Sequence, residues 1–179
     1  MSNRDQFEEL ALPLLDSLYN FARWTCGDAD EARDLVQETF AKGLKGFGSF
    51  RQGTNFRAWM FRILRNTFLT SRTGLERRNT EQESEDGLHD AVITYETPEV
   101  DLVRRADIDL VRQGIAKVPQ PFREVLILAD IEEMKYLDIA DALAVPVGTV
   151  MSRLARARQQ LRRHILEAMQ GTRSAGAKS

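Results

Sequence analysis

The residues best suited to bind another molecule are the arginines of a basic stretch near the C-terminal end. Between Pro146 and Arg173 the sequence has six Arg, no Lys and a single acid, Glu167. A guanidinium group donates paired hydrogen bonds to guanine edges and to phosphate oxygens, so this composition favours nucleic acid as the ligand. Basic helices also face solvent, acidic proteins or membrane surfaces, and composition alone leaves those alternatives open.

Hydrophobic periodicity places this basic stretch on the second helix of a helix–turn–helix. A short helix beginning near Tyr136 is followed by a corner at 144–148, where Pro146 interrupts the helical period and Gly148 frees the backbone. From Thr149 the helical period resumes, and an apolar stripe is formed by Val150, Leu154, Ala157, Leu161 and Ile165. The opposite face carries Ser152, Arg156, Gln159, Gln160 and Arg163, with Arg153 at its edge. A helix anchored inward with arginines outward suits a DNA major groove.

A second basic block combines arginines with aromatic residues. Residues 51–78 hold seven Arg, no Lys and only Glu76 as an acid. The composition predicts a loop over 46–55 and a helix over 56–72. Aromatic rings beside arginines suit a melted single strand, because rings stack on bases and guanidinium groups neutralise phosphates. Trp59 and Ile63 of this helix are predicted to fill the core instead.

The charges are segregated along the chain, although the net charge is only −2. Residues 79–101 hold eight acids and no Lys or Arg, and their low hydrophobicity predicts a flexible linker. We therefore predict an all-α protein of two small helical domains joined by this acidic linker. The predicted boundaries are 1–75 for the first domain, 76–101 for the linker, 102–170 for the second domain and 171–179 for a flexible tail.

Two blocks of the sequence together resemble one bacterial family. The sequence of residues 121–158 is similar to the C-terminal promoter-binding domain (σ4) of sigma factors. The motifs that carry this similarity are Pro121-Phe122-Arg123-Glu124-Val125, Asp138-Ile139-Ala140, Gly148-Thr149-Val150 and Ser152-Arg153-Leu154. A second motif resembles their N-terminal domain (σ2): Asp34-Leu35-Val36-Gln37-Glu38-Thr39-Phe40, followed by Phe50, Gly53, Trp59, Ile63 and Arg65-Asn66. The order and the length fit the small extracytoplasmic-function (ECF) subgroup of the sigma-70 family.

The resemblance implies a transcription initiation factor that directs RNA polymerase to promoters, and it assigns three sets of contacts. Contacts with the −35 duplex fall on Thr149, Ser152, Arg153 and Arg156. Contacts with the melted non-template strand of the −10 element fall on Gly53, Asn55, Phe56, Arg62, Arg65 and Asn66. Contacts with the clamp coiled coil of the largest subunit of the core polymerase fall on Asp34, Gln37 and Glu38. Arg158, Arg162 and Arg163 are expected to meet phosphates or solvent.

The resemblance also implies an anti-sigma factor as a partner. The N-terminus has no signal-peptide apolar core, and one cysteine excludes an internal disulfide and a Cys-based zinc cage, so we expect a cytoplasmic location and no cofactor or metal. The sequence has no apolar run near the roughly 20 residues that a membrane span needs. Two rival functions remain. An autonomous helix–turn–helix regulator would explain the second half but not the first, and an enzyme finds no support because His89 and His164 lack a matching nucleophile or metal-ligand spacing. The single cysteine, Cys26, is expected to be structural, with redox sensing as the alternative.

Overall fold

The protein is built of helices throughout the part of the chain that the computed structural model describes, residues 2–76 and 102–176. The predicted acidic linker lies almost entirely outside these residues. The helices are α1 (Asn3–Ala11), α2 (Leu15–Cys26), α3 (Ala29–Gly46), α4 (Phe56–Glu76), α5 (Leu102–Lys117), α6 (Gln120–Leu126), α7 (Tyr136–Leu143) and α8 (Val147–Gly176). The all-α prediction is confirmed for these residues.

The first helical segment is broken near Pro13. A single 3-10 turn, Leu12–Leu14, separates α1 from α2, because proline at that position cannot donate the helical hydrogen bond. Helix α1 buries Phe7 and Ala11, whereas Leu10 is 45% exposed.

The first domain is closed by α3 and α4, which pack against each other and against α1 and α2. Asp28 caps α3 by accepting hydrogen bonds from the backbone N–H groups of Asp30 and Glu31, both at 2.9 Å. At the end of α3, Gly43 lets the helix approach α1 and α4 closely, since an added Cβ would lie 3.0 Å from Phe7 and Met60. Buried side chains of this core include Leu18, Phe21, Phe61 and Leu64.

The second domain gathers α5, α6 and α7 around α8. Residues 127–131 continue α6 as a wider, π-type segment. The buried face of α8 is formed by Val150, Leu154 and Ala157, with Leu161 partly buried against the same core. The predicted apolar stripe of the basic helix is therefore confirmed.

The two domains contact each other directly. Helix α4 packs with α3 on one side and with α7 of the second domain on another, and α2 contacts α6. The guanidinium of Arg123 links the domains because it donates to the Trp24 carbonyl at 3.1 Å and to the Ala116 and Val118 carbonyls at the end of α5. Burial lowers the pKa of Arg123 from its usual value.

Candidate nucleic-acid interface

The corner before the basic helix is formed by a left-handed residue. Ala144 has φ +53°, and the backbone N–H of Val145 donates to the Ala140 carbonyl at 3.0 Å, which ends α7. Helix α8 then begins at Val147, with the Pro146 carbonyl accepting from Thr149 at 2.9 Å. Gly148, which the sequence suggests as the flexible point, already lies inside the first turn of α8. The turn is therefore made by an alanine and not by the glycine.

The predicted duplex-reading residues share one side of the first turns of α8. Ser152 and Arg156 are exposed, Thr149 and Arg153 are half-buried, and Val150 and Leu154 anchor the opposite side in the core. The Ser152 hydroxyl donates to the Thr149 carbonyl at 3.1 Å, so its oxygen can still accept a hydrogen bond. The structure brings the four predicted side chains together at the exposed beginning of α8. Whether they contact DNA stays a prediction.

Arg158 takes a different role from the one expected. Its Nε and Nη2 donate to the two carboxylate oxygens of Asp130 at 3.0 and 2.6 Å. This paired hydrogen bond fastens α8 to the segment after α6, and the Asp130 partner raises the pKa of Arg158. Sequence periodicity shows only that Arg158 is on the polar side of α8, and it cannot reveal a partner 28 residues away.

The loop before α4 positions the first group of predicted −10 residues. Gly53 has φ +87°, a conformation that L side chains rarely adopt. Asn55 caps α4, because its Oδ1 accepts from the Ala58 backbone N–H at 3.1 Å. The asparagine remains exposed, so its amide NH₂ group faces outward for another partner.

Phe56 lies in a cluster of aromatic rings and is only half-exposed. Its centroid is 5.3 Å from that of Phe50 and 6.0 Å from those of Phe7 and Phe47, with nearly perpendicular ring planes. Trp59 lies 5.5 Å from the same ring and belongs to the cluster, as the sequence predicts. These edge-to-face contacts stabilise the base of the loop, and they leave less of Phe56 available for stacking on a base.

Beside this cluster, the loop borders a shallow open groove. Its walls come from α1 and the loop, namely Gln6, Glu9, Leu10, Phe47, Phe50, Gln52 and Gly53. The groove combines a partly exposed aromatic ring, Phe50, with amide groups that can donate and accept hydrogen bonds. Phe50 belongs to the motif that resembles σ2, but it is not among the residues predicted to contact the −10 element.

The second group of predicted −10 residues lies along α4, the helix that packs against α7 of the second domain. The Arg65 Nε donates to both carboxylate oxygens of Glu124 at 3.3 Å, and the Arg62 guanidinium lies 3.6 Å from Asp141. Asn66 is exposed. Both arginines are therefore engaged by acids of the second domain, which the sequence analysis did not anticipate.

Two buried or nearly buried carboxylates dominate this contact between the domains. Glu124 is 5% exposed, and its burial raises the carboxyl pKa above the usual value of 4.5, although the charges of Arg65 and Arg153 act in the opposite direction. The Glu132 side chain is 8% exposed and accepts from Arg57 at 2.8 Å and from the Asn20 amide at 3.1 Å.

The predicted polymerase-binding residues lie on one exposed face of α3. Asp34, Gln37 and Glu38 are all exposed, whereas Leu35 and Val36 between them are buried. Glu38 has a loose ion pair with Lys42, at 3.5 Å, one turn further along the helix. The structure thus groups the three side chains as the sequence predicts, and their role stays a prediction.

Other features of the described residues indicate no further chemistry. Burial raises the pKa of the Cys26 thiol to about 11, so this cysteine is a poor nucleophile at neutral pH. Within residues 2–76 and 102–176, no helix has the length and apolar character required to cross a bilayer, and no group of three or more potential metal ligands is found.

The fold and the two basic faces define a class of protein: a two-domain helical protein built to bind nucleic acid. Comparison with known proteins gives the family. The family model for sigma-70 region 2 matches residues 10–78, and the model for sigma-70 region 4 matches residues 108–161. The chain belongs to the sigma-70 family of RNA polymerase sigma factors, in the ECF subgroup. It is therefore a transcription initiation factor and not an enzyme.

The sequences of individual relatives are similar to this chain over most of its length. The RNA polymerase sigma factor YlaC of Bacillus subtilis (strain 168) is 30% identical over 174 residues, which cover 97% of this chain and 99% of that protein. The ECF RNA polymerase sigma factor EcfG of Rhodopseudomonas palustris (strain TIE-1) is 36% identical over 157 residues, covering 88% and 83%.

A solved structure is similar in both domains. It is the sigma factor RpoE in complex with the anti-sigma factor NepR from Bartonella quintana, with a TM-score of 0.72 and 29% identity over 89% of this chain and 96% of that one. The prediction of an ECF sigma factor is confirmed, whereas the exact domain boundaries stay predictions.

Proposed function

We propose that this sigma factor works through three separate faces, one for duplex DNA, one for a melted strand and one for the core polymerase. The observation that carries the proposal is the exposed beginning of α8, where Ser152, Arg153 and Arg156 project opposite the buried Val150 and Leu154. A helix held in this way presents its N-terminal turns to base edges and its flanking arginines to phosphates.

The melted −10 strand is proposed to follow the loop before α4 and the exposed side of that helix. Gly53, Asn55 and Asn66 supply groups able to contact an unstacked base, and Arg62 and Arg65 supply positive charge for the backbone. The groove beside Phe50 is the place where a flipped base would fit, because stacking on a ring and hydrogen bonding to amides are how single-stranded bases are bound. Phe56 supports this groove from below.

The core polymerase is proposed to bind the exposed face of α3. Asp34 and Glu38 offer carboxylates and Gln37 an amide, which suit basic side chains on the clamp coiled coil. Asp34 is fully part of this face and remote from the buried side of the helix. Replacing its charge should therefore weaken binding without disturbing the core.

We extend the proposal to the location and the regulation of the protein. A partner of bacterial RNA polymerase works in the cytoplasm, and the absence of a membrane-spanning helix among the described residues is consistent with that location. An anti-sigma factor is proposed as a protein partner, because the similar RpoE was solved in complex with one.

The direct test measures holoenzyme formation and initiation with single substitutions. Asp34→Lys should lower the affinity for core polymerase by at least about tenfold, because a carboxylate facing basic groups is replaced by a like charge. The matched control is Asp16→Lys, an equally exposed aspartate on α2, which should bind core polymerase as the parent does.

Two further variants separate core binding from promoter choice. Asn66→Ala and Arg153→Ala should bind core polymerase normally but change which promoters support transcription in vitro. The assignment of faces is wrong if Asp34→Lys binds core polymerase like the parent, or if all three variants initiate like the parent. A chain that ignores core polymerase and regulates a palindromic operator alone would instead be an autonomous regulator.

A further inference from the structure

An open cleft between the two domains is lined by arginines from both of them. Arg65 and Arg72 come from α4, and Arg153 comes from α8. Its other walls come from α2 and α6. The cleft has a volume of about 520 Å³. Pockets that bind small molecules measure roughly 300–1,000 Å³, so this cleft has room for a molecule of nucleotide size.

The charges that line this cleft do not balance. Its three arginines face one carboxylate, Glu124, because the other lining residues are uncharged. The Arg65 Nε donates to both Glu124 oxygens at 3.3 Å, so one arginine already engages this acid. Arg153 acts on Glu124 through its charge, and within residues 2–76 and 102–176 its guanidinium has no hydrogen bond or ion pair. The cleft therefore keeps an excess of positive charge that an anion could neutralise.

Arg72 is held at the cleft mainly by an aromatic ring. Its ion pair with Glu31 is long, at 3.8 Å, and the two side chains are 49% and 60% exposed, so water and salt weaken it. The guanidinium carbon lies 5.1 Å from the centroid of the Phe68 ring, which lines the same cleft. This cation–π contact keeps the charge beside the cleft without a strong acidic partner.

The spacing of the arginines points to a ligand with several charged groups. Arg65 and Arg72 are seven residues apart on α4, which places them on one side of the helix, about two turns or roughly 10 Å apart. A chain of phosphates suits such a row, because each phosphate can pair with a different guanidinium. Leu69 and Pro121, both exposed, add apolar surface to the lining.

We propose that this cleft binds a small molecule that carries a chain of phosphates, either free or attached to a nucleoside. Arg65, Arg72 and Arg153 pair with the phosphates, and the side-chain amide of Gln120 donates a further hydrogen bond. The site goes beyond the three proposed faces, since Arg72 and Gln120 belong to none of them. Arg65 and Arg153 are shared with the proposed DNA contacts, so the ligand and DNA would compete for these two side chains.

The first test is isothermal titration of the full-length chain with sodium tripolyphosphate at constant ionic strength. The parent should bind it saturably, and Arg72→Gln should bind on the order of tenfold more weakly, because a charge-assisted hydrogen bond is lost. The matched control, Arg33→Gln, removes the same charge from an exposed arginine of α3 outside the cleft and should bind like the parent. Absence of saturable binding, or equal weakening in both variants, would overturn the proposal.

Glu124→Gln tests the sign of the charge effect. The amide keeps an oxygen that can accept from Arg65 but removes the negative charge of the cleft, so tripolyphosphate should bind severalfold more tightly. Thermal unfolding without ligand checks that this variant and Arg72→Gln remain folded. A folded Glu124→Gln variant that binds no more tightly than the parent would contradict the proposed site.

Two further measurements locate the ligand and identify its source. In an NMR titration of the isotope-labelled chain, tripolyphosphate should shift the side-chain amide signal of Gln120 and leave that of Gln37, exposed on α3, in place. Equal shifts of both signals would indicate non-specific binding and overturn the proposal. Tighter binding of ATP than of tripolyphosphate would identify a nucleotide site, and equal or weaker binding would identify a site for inorganic polyphosphate. Failure of the chain to support transcription with core polymerase would contradict the proposed function and leave these titrations unaffected.

Discussion

Glu124 shows how one buried carboxylate links several parts of this molecule. Its pKa is raised by burial, against the opposing effects of the Arg65 and Arg153 charges and of a hydrogen bond from Gln120. An acid with a raised pKa in the folded state binds its proton more tightly there than in the unfolded chain. Its contribution to stability is complete below pH 4.5 and is lost as the pH rises through the folded-state pKa.

The direction of this pKa shift gives a prediction for Glu124→Gln, whose neutral side chain imitates the protonated acid. The parent should gain free energy of unfolding relative to Glu124→Gln as the pH falls from 7 toward 4.5, and the two should converge at the acidic end. Urea unfolding at a series of pH values measures the difference. If the parent instead loses stability relative to the variant on acidification, the charges of Arg65 and Arg153 lower the Glu124 pKa by more than burial raises it.

At the residue scale, the sequence predicts exposure better than it predicts partners. The helical period correctly places Asp34, Gln37 and Glu38 on an exposed face. It also places Arg62 and Arg65 on the polar side of α4, but their acids are distant in sequence, since Glu124 lies 59 positions after Arg65. Such pairs depend on how two domains meet, which no local pattern encodes.

At the scale of elements, breaks between helices depend on backbone geometry. The break between α1 and α2 lies at Pro13, because proline has no backbone N–H to donate to the helix. At the corner before α8 the sequence signal is misleading. The glycine, Gly148, lies within α8, and the residue with left-handed backbone is Ala144. The physical reason is that the hydrogen bond from Val145 to Ala140, and not residue preference alone, determines where α7 ends.

Gly43 gives a prediction about how helices approach each other. In Gly43→Ala the new Cβ would lie 3.0 Å from Phe7 ring atoms and from the Met60 sulfur, which is too close without movement of the core. We expect a loss of about 1–3 kcal/mol in the free energy of unfolding. The matched control, Gly171→Ala, meets nothing within 4 Å and should gain up to about 1 kcal/mol. Equal effects of the two substitutions would mean that α3 does not dock through Gly43.

At the scale of the whole molecule, the segregation of charges along the chain predicts two helical domains. The two sequence motifs that resemble σ2 and σ4 predict the family. They do not predict that the domains pack together, because no local pattern marks the residues that meet across the contact, such as Glu132 and Arg123. Two of the arginines proposed to bind DNA, Arg62 and Arg65, pair with acids of the second domain.

The central claim, that each domain reads a different promoter element, is tested most directly by in vitro transcription from a promoter library randomised in both elements. With core polymerase, Arg153→Ala should alter base preference only in the upstream duplex element, and Asn66→Ala only in the melted element, because the two side chains lie on different domains. The account would be contradicted if both substitutions altered the same element, or if neither altered any base preference.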